Sequence, residues 1–187
     1  MTQKFSFERT NFDSVFLIKL FIAYDERGYF IKDYSREEFE KNGVEYDLKE
    51  VFYTSSHKGV IRAIHFQRIK EQPKLVRCVK GKIFDVVVDL RKNSSTLGQW
   101  EGFFLDENNK NELLIPVHFG HGYLVLEDAM VSYKCAEMFY GEYDDGIMWN
   151  DEIINIQWPL EQVDNIILSE KDKKLQTFNQ YRNNLSG

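Results

Sequence analysis

The sequence predicts a mainly β protein, a β-sandwich or barrel with a few short helices. Short apolar runs recur along the 187 residues at the spacing of strands, and polar turn signals separate them. Aromatic residues, which favour strands, make up 15% of the chain. Many short strands joined by polar turns are typical of sandwiches and barrels, and the jelly roll is one such architecture.

Nine segments are predicted to be strands because each is a short apolar run bounded by turn residues. They are residues 15–21, 51–54, 74–79, 83–90, 100–105, 111–115, 122–126, 130–135 and 153–158. The segment IRAIHFQ, residues 61–67, is also strand-like. Lys80-Gly81, residues 92–95 and residues 106–109 supply polar turns between neighbouring segments.

Two short helices are predicted from capping signals. Ser35 is a favoured N-cap, Glu38 completes a capping box with it, and Asn42-Gly43 ends the helix. A second helix is expected to begin near Ser169, a cap-type residue that precedes Lys-Asp-Lys.

The length suits one domain spanning residues 1–187, and a 43% hydrophobic content is enough for a buried core. The formal net charge of −6 argues against nonspecific binding to nucleic acid, which needs a basic surface. A local basic pocket can still hold phosphates in an acidic protein. Cys78 and Cys135 lie in apolar runs without a CxxC motif, so we expect reduced, buried thiols rather than a disulfide or a zinc ribbon.

Membrane and secretion signals are not evident in the sequence. The first residues, MTQKFSFERTNFD, lack the apolar stretch of a signal peptide, and no apolar run approaches the ~20 residues of a membrane span. We therefore expect a soluble, cytoplasmic protein without a membrane partner.

The segments IRAIHFQ (61–67) and LSEKD (168–172) contain the most informative chemistry. Arg62 and His65 lie three positions apart in the first, and Asp172 is a carboxylate from the far end of the chain. A histidine oriented by a distant aspartate is a general base near neutral pH. Taken alone, His65 also suits a structural histidine, and Ser169 suits a plain helix cap.

Five further segments complete a family resemblance: KLVRC (74–78), FDVVVDLR (84–91), IPVHFGHGY (115–123), SYK (132–134) and MWND (148–151). Together the seven segments resemble the dTDP-4-dehydrorhamnose 3,5-epimerases and related nucleotide-sugar epimerases, which are cupins. The resemblance extends from about residue 16 to residue 172. It implies a cupin-type jelly roll, a nucleotide-sugar substrate and a homodimer in which N-terminal strands, here residues 15–21, cross to the partner sheet.

The resemblance implies four catalytic residues. His65 is the base, Asp172 orients it, Tyr133 donates a proton on the opposite face of the sugar, and Lys74 lies beside the ketone oxygen, where it stabilises an enolate. Sequence alone leaves other roles open. Tyr133 also suits core packing, and strand alternation leaves Lys74 and Arg62 equally compatible with outward, solvated positions.

The resemblance also implies a set of substrate-binding positions. Arg62 contacts the sugar nucleotide, Arg27 binds its phosphate-linked end, and His121 matches the histidine of the family motif FAHGF. An aromatic platform for the base is expected from Phe139, Tyr140 and Trp149, although core packing suits Trp149 equally well. The full set of predicted binding residues is Arg27, Lys32, Glu50, Phe52, Arg62, His121, Phe139, Asp144 and Lys171.

We expect neither a metal nor another cofactor. Metal-binding cupins use an HxH cluster with a later Glu and His, and IRAIHFQ lacks the second histidine of that cluster. His118 and His121 form an HxxH pair, but four histidines in the chain are few for a metal centre. The chain has no GxGxxG motif after a first strand and no Walker loop, so no NAD or ATP fold is implied.

Several binding positions depart from the family pattern. Glu50-Val51-Phe52 replaces a Gln-Asp-Asn triplet, Lys32 and Asp144 replace glutamates, and Ala63 replaces a glycine. The proton-transfer residues are retained, so we expect the same chemistry on an altered substrate.

The predicted function is cofactor-independent epimerisation at C3 and/or C5 of a nucleotide-linked 4-keto-6-deoxy sugar through an enolate. The product serves the synthesis of a polysaccharide or glycoside. Three alternatives remain at this point: a 3,4-ketoisomerase on the same scaffold, a non-catalytic cupin that binds a sugar nucleotide, and a metal-dependent cupin enzyme.

Overall fold

The computed structural model describes residues 4–185, which form eleven strands, two α-helices and two short 3-10 helices. The strands are β1 (Ser6–Arg9), β2 (Phe16–Lys19), β3 (Phe21–Asp25), β4 (Gly28–Lys32), β5 (Glu50–Ser56), β6 (Ile61–Gln67), β7 (Lys74–Asp89), β8 (Trp100–Asp106), β9 (Glu112–Ile115), β10 (Phe119–Cys135) and β11 (Asp144–Gly146). The helices are α1 (Arg36–Lys41), α2 (Phe178–Leu185) and the 3-10 helices Leu160–Gln162 and Asp172–Lys174. The predicted mainly β fold is therefore confirmed.

Two long antiparallel strands, β7 and β10, organise the main sheet. Their pairing extends from Phe119 opposite Asp89 to Cys135 opposite Lys74, with register shifts between Val125 and Val131. Such irregularities bend a strand. Each bent strand therefore has two neighbours along the same edge: β10 pairs with β6 and then β5, and β7 pairs with β9 and then β8. The remaining path is β1-β2-β9 on one side and β6-β11 on the other, while β3 and β4 form a separate hairpin.

Three apolar clusters pack the main sheet against itself, against the C-terminal segment and against α1. The first joins both ends of β7 and β10 with side chains of β8 and β9, including Val76, Val87 and Val131. The second lies under the C-terminal segment, where Phe178 and Trp158 pack. The third lies under α1 and the N-terminal strands. A strand can serve two clusters because its successive side chains point to opposite faces.

A buried group of charges joins the hairpin β3–β4 to the main sheet. Lys134 Nζ lies 2.5 Å from Glu112 Oε1 and 2.9 Å from Asp33 Oδ2. Asp33 is the residue that directly follows β4. Arg77 Nη1 lies 3.3 Å from the same Asp33 oxygen. Burial raises the pKa of Glu112 to about 7, although Lys134 opposes this shift. Glu112 on β9 and Lys134 on β10 thus hold the residue that follows β4 against the main sheet.

Four of the predicted strands are parts of two longer strands in the structure. The segments 74–79 and 83–90 merge into β7, and 122–126 and 130–135 merge into β10. Lys80-Gly81 is not a chain reversal, because Gly81 takes a φ of 75° within the continuing strand. Segment 15–21 is instead divided between β2 and β3.

The predicted strand over residues 153–158 is wrong. Those residues form turns and irregular backbone. Asp151 Oδ1 accepts the N–H groups of Ile153 at 3.0 Å and Ile154 at 3.1 Å, and Asn155 has a positive φ of 50°. These local hydrogen bonds take the place of pairing with a neighbouring strand. Ile154 and Trp158 nevertheless bury their side chains.

The helix predictions are confirmed in position but not in detail. Helix α1 begins after Ser35, yet the Ser35 side chain makes no capping bond, and Glu38 pairs with Lys41 instead. Ser169 Oγ accepts the N–H of Asp172 at 3.0 Å ahead of the second short helix. Helix α2 was not predicted.

A capping box does mark the start of α2. The Thr177 hydroxyl accepts the Gln180 N–H at 3.2 Å, and the Gln180 side chain accepts the Thr177 N–H at 2.8 Å. Within residues 4–185, neither α-helix has the length and apolar character needed to cross a bilayer.

Candidate active site

A cavity of about 290 Å³ lies among β5, β6, β7, β10 and the segment that contains Asp172. It brings together all four predicted catalytic residues, His65, Asp172, Tyr133 and Lys74. It is also lined by the predicted binding residues Phe52, Arg62, His121, Phe139, Asp144 and Lys171. The fold therefore assembles in one place residues that are more than a hundred positions apart in the sequence.

His65 and Asp172 form a close pair. His65 Nε2 lies 2.7 Å from Asp172 Oδ1, with 26% of the His65 side chain and 7% of the Asp172 side chain exposed. Burial alone would raise the pKa of Asp172, but His65 and Ser169 lower it overall, so the carboxylate stays ionised. His65 Nδ1 is buried and has no hydrogen-bond partner within residues 4–185. With Nε2 held by Asp172, Nδ1 is the ring nitrogen that can accept a proton.

Asp144 lies on the other side of the His65 ring. Its Oδ1 is 3.8 Å from His65 Nδ1, and its Oδ2 pairs with Lys171. The Lys171 side chain is about half exposed at the cavity mouth. This arrangement places a cation beside the cavity where an anionic part of a ligand can meet it.

Tyr133 points into the cavity from β10, and only 7% of it is exposed. Its ring stacks on Phe52 with centroids 4.8 Å apart. Burial, together with the neighbouring Tyr123 hydroxyl, raises the Tyr133 pKa well above its ordinary value. Tyr133 therefore stays protonated near neutral pH and is suited to donate a proton.

Lys74 and Arg62 point into the cavity. Strand alternation had left outward, solvated positions equally possible for both side chains. Both line the cavity. Burial lowers the Lys74 pKa, against the opposing charges of Asp144 and Asp85. Arg62 Nε donates to Ser56 Oγ at 3.1 Å. An anionic ligand or intermediate would offset the cost of holding these cations away from water.

His121 has a buried partner that the sequence prediction missed. His121 Nε2 lies 2.8 Å from Asp85 Oδ2, and both side chains are almost fully buried. Burial raises the Asp85 pKa, while His121 opposes that shift. A signal was present, because an aspartate inside the apolar run FDVVVDLR needs a partner when buried.

Glu50 shapes the cavity wall without lining it. Its Oε2 accepts the Phe139 N–H at 3.0 Å, and Gln67 Oε1 accepts the Tyr140 N–H at 2.6 Å. These bonds hold the segment that presents Phe139 at the rim. Trp149 does not join an aromatic platform there, since it packs in the core cluster beneath the C-terminal segment.

Arg27 and Lys32 are not brought to this cavity by their own chain. Both belong to the β3–β4 hairpin region, and the Arg27 side chain is 84% exposed and paired with Asp25. A second cavity, of about 440 Å³, lies beside Phe66 and Tyr181 and contains none of the four predicted catalytic residues. Within residues 4–185 no group of three His, Cys, Asp or Glu side chains is arranged to hold a metal ion.

Known proteins resemble this chain in both sequence and fold. The family model described as dTDP-4-dehydrorhamnose 3,5-epimerase matches residues 9–180. The chain belongs to the dTDP-4-dehydrorhamnose 3,5-epimerase family. The enzyme of that name from Methanothermobacter thermautotrophicus is 47% identical over 171 residues, which cover 91% of this chain and 92% of the relative.

Solved structures agree with the family assignment. The dTDP-6-deoxy-D-glucose-3,5-epimerase of Legionella pneumophila Philadelphia 1, in complex with dTDP-4-keto-L-rhamnose, superposes with a TM-score of 0.93 at 34% identity, covering 97% of each chain. A 3′-monoepimerase from Streptomyces bikiniensis, in complex with dTDP-quinovose, gives a TM-score of 0.86 at 27% identity over 94% of this chain and 90% of its own. The predicted family, jelly-roll fold and enzyme class, a carbohydrate epimerase, are confirmed.

Proposed function

We propose that this protein epimerises a dTDP-linked 4-keto-6-deoxy sugar at C3 and C5 without a cofactor. The observation that supports it most strongly is the cavity in which His65, paired with Asp172, shares the space with protonated Tyr133 and with Lys74. A base and an acid at separate positions are what inversion of a carbon centre requires, since one removes a proton and the other returns one to the opposite face.

The proposed reaction begins with the C4 ketone, which acidifies the hydrogens on C3 and C5. His65 removes one of them, and Asp172 stabilises the imidazolium that forms. Lys74 and Arg62 stabilise the negative charge of the enolate. Tyr133 then donates a proton to the opposite face of the carbon, and the sequence repeats at the second carbon.

The β3–β4 hairpin supports a proposal about assembly. Tyr24, Tyr29 and Phe30 are largely exposed on it, and an exposed aromatic patch on a hairpin is suited to cover a second copy of the chain. We propose a homodimer in which this hairpin supplies Arg27 and Lys32 to the partner's cavity. Sedimentation equilibrium tests the dimer, and a monomer at micromolar concentration would contradict it. Cytoplasmic localisation stays a prediction.

The test of the reaction is proton exchange. Incubation with dTDP-4-keto-6-deoxyglucose in D2O should place deuterium at C3 and C5, detected by NMR and mass spectrometry. His65→Asn should bind dTDP normally but abolish exchange. His57→Asn is the matched control, because His57 is an exposed histidine that pairs with Asp128 outside the cavity.

Each product pattern has a defined meaning. Deuterium at both carbons supports a 3,5-epimerase, whereas deuterium at C3 alone indicates a monoepimerase. A ketone moved to C3 indicates the 3,4-ketoisomerase that the sequence left open. Exchange in His65→Asn at the wild-type rate would overturn the assignment of the base, and no exchange in the wild-type protein would overturn the substrate.

A further inference from the structure

Phe52 covers one face of the ring of Tyr133, the proposed acid. The two residues lie directly opposite each other on β5 and β10. Their rings stack nearly parallel, with centroids 4.8 Å apart and an angle of 14° between the planes, and both side chains line the cavity. Phe52 also packs against the apolar cluster that joins β7 and β10, so its own ring is held in place. The family pattern has an asparagine at this position, which cannot stack in this way.

A second ring contacts Tyr133 at a different angle. His121 lies edge-on to the Tyr133 ring, with centroids 5.9 Å apart and an angle of 75° between the planes. His121 is itself paired with Asp85, whose Oδ2 lies 2.8 Å from its Nε2. The Tyr133 side chain turns about two torsions, and contacts with two differently oriented rings restrict both of them. The direction of the Tyr133 hydroxyl in the cavity is therefore set by Phe52 and His121 together.

The position of the proton donor decides what becomes of an enolate. The enolate carbon can take a proton on either face. Donation by Tyr133 to the face opposite His65 inverts the centre, whereas return of a proton by the protonated His65 restores the starting configuration. A displacement of about 1 Å can cost a reacting group about 10²-fold in rate. If the Tyr133 ring were free to move, return by His65 would therefore become the faster of the two steps.

We propose that Phe52 is a positioning residue that holds Tyr133 where donation to the opposite face is faster than return of the proton by His65. The inference rests on the proposed function. Phe52 transfers no proton itself and acts through Tyr133. Burial, to which the stacked Phe52 ring contributes, raises the pKa of Tyr133 well above its ordinary value, so the acid is protonated when an enolate forms.

The test measures exchange and inversion in one sample. The protein is incubated with dTDP-4-keto-6-deoxyglucose in D2O, where the protonated His65 exchanges with solvent, and initial rates are taken. Return by His65 gives starting material that contains deuterium, and donation by Tyr133 gives epimerised product. Phe52→Leu, which keeps an apolar side chain but removes the ring, should raise the ratio of deuterated starting material to product about 10-fold. Phe52→Tyr, which keeps the ring, should stay within about threefold of wild type.

The ratio separates positioning from a loss of folded protein, because both species form on the same active molecules and the unfolded fraction cancels. Phe104→Leu is the matched control, since it alters another aromatic pair, with Phe84 at 5.1 Å between centroids, and neither ring lines the cavity. Its ratio should equal that of wild type.

The outcomes distinguish this inference from the proposed function. If the wild-type protein inverts the sugar, a Phe52→Leu ratio within about threefold of wild type would overturn the positioning role alone. An equal rise in Phe52→Tyr or in Phe104→Leu would overturn it as well, because the stacked ring would then not be the cause. A wild-type protein that neither exchanges nor inverts would overturn the proposed function and this inference with it.

Discussion

Replacing Asp172 by asparagine removes the negative charge beside the proposed base while keeping the shape of the side chain. At the observed 2.7 Å between Nε2 and Oδ1, Coulomb's law with an effective dielectric constant of about 20 gives roughly 6 kcal/mol between an imidazolium and a carboxylate. The neutral asparagine amide keeps only a dipole beside the ring, so we expect to lose about half of this energy, roughly 3–4 kcal/mol. That corresponds to a kcat about 10²–10³-fold lower.

The assay for Asp172→Asn is deuterium incorporation at saturating dTDP-4-keto-6-deoxyglucose. KM should stay within about threefold, since Asp172 acts through His65. The backbone N–H of residue 172 can still donate to Ser169 Oγ, so the turn is retained. Asp128→Asn is the matched control, because it alters another aspartate–histidine pair on the protein surface, and its kcat should be unchanged. A kcat for Asp172→Asn within about threefold of wild type would refute the orienting role.

Three further predictions concern stability and reactivity. Burial raises the Glu112 pKa from 4.5 to about 7. The folded protein therefore keeps a proton that the unfolded chain releases, and stability should fall by up to about 3 kcal/mol as pH rises through that window. Urea unfolding at pH 5 and pH 7.5 should show a smaller difference for Glu112→Gln; an identical difference would contradict this. Burial raises the pKa of Cys78 to about 12 and of Cys135 to about 11. Ellman's reagent at pH 8 should therefore find no reactive thiol in the folded protein and two in urea, and rapid labelling of the folded form would be the contrary result. Gly81→Ala places a Cβ 2.2 Å from a backbone carbonyl oxygen at a φ of 75°, and should cost more than about 2 kcal/mol of unfolding free energy. Gly141→Ala, which meets nothing closer than 3.8 Å, should cost little; equal midpoints for the two variants would contradict the strain.

Local signals predicted the strands well where pairing follows the apolar pattern, as in β8 and β9. They did not distinguish a turn from a bulge, because a glycine with positive φ serves both, and at Gly81 the strand continues. Residues 153–158 have the apolar content of a strand, but Asp151 binds their backbone first. Helix α2 was missed although Phe178, Tyr181 and Leu185 are spaced to share one helical face, because the other five residues of FNQYRNNL are polar.

The site was predictable only through the family resemblance, since its parts are distant in sequence. Nothing local indicates that His65 and Asp172 lie 2.7 Å apart. Asp85 was missed because the prediction treated its strand as wholly apolar, whereas its partner His121 comes from the neighbouring strand. Among the described residues the β3–β4 hairpin forms a separate two-stranded sheet, so the strand pattern does not place Arg27 relative to the cavity.

The two members of the His65–Asp172 pair are anchored with unequal firmness. His65 lies on β6, which is paired with β10 on one side and with the edge strand β11 on the other. Asp172 lies in a single 3-10 turn between two isolated bridges, Val60–Ile167 and Ile147–Gln176. Amide hydrogens in residues 167–176 should therefore exchange through local opening, at lower free energy than those of β6. On heating, activity should be lost before the sheet melts, and a ligand that contacts both Lys171 and His65 should slow exchange in this segment most.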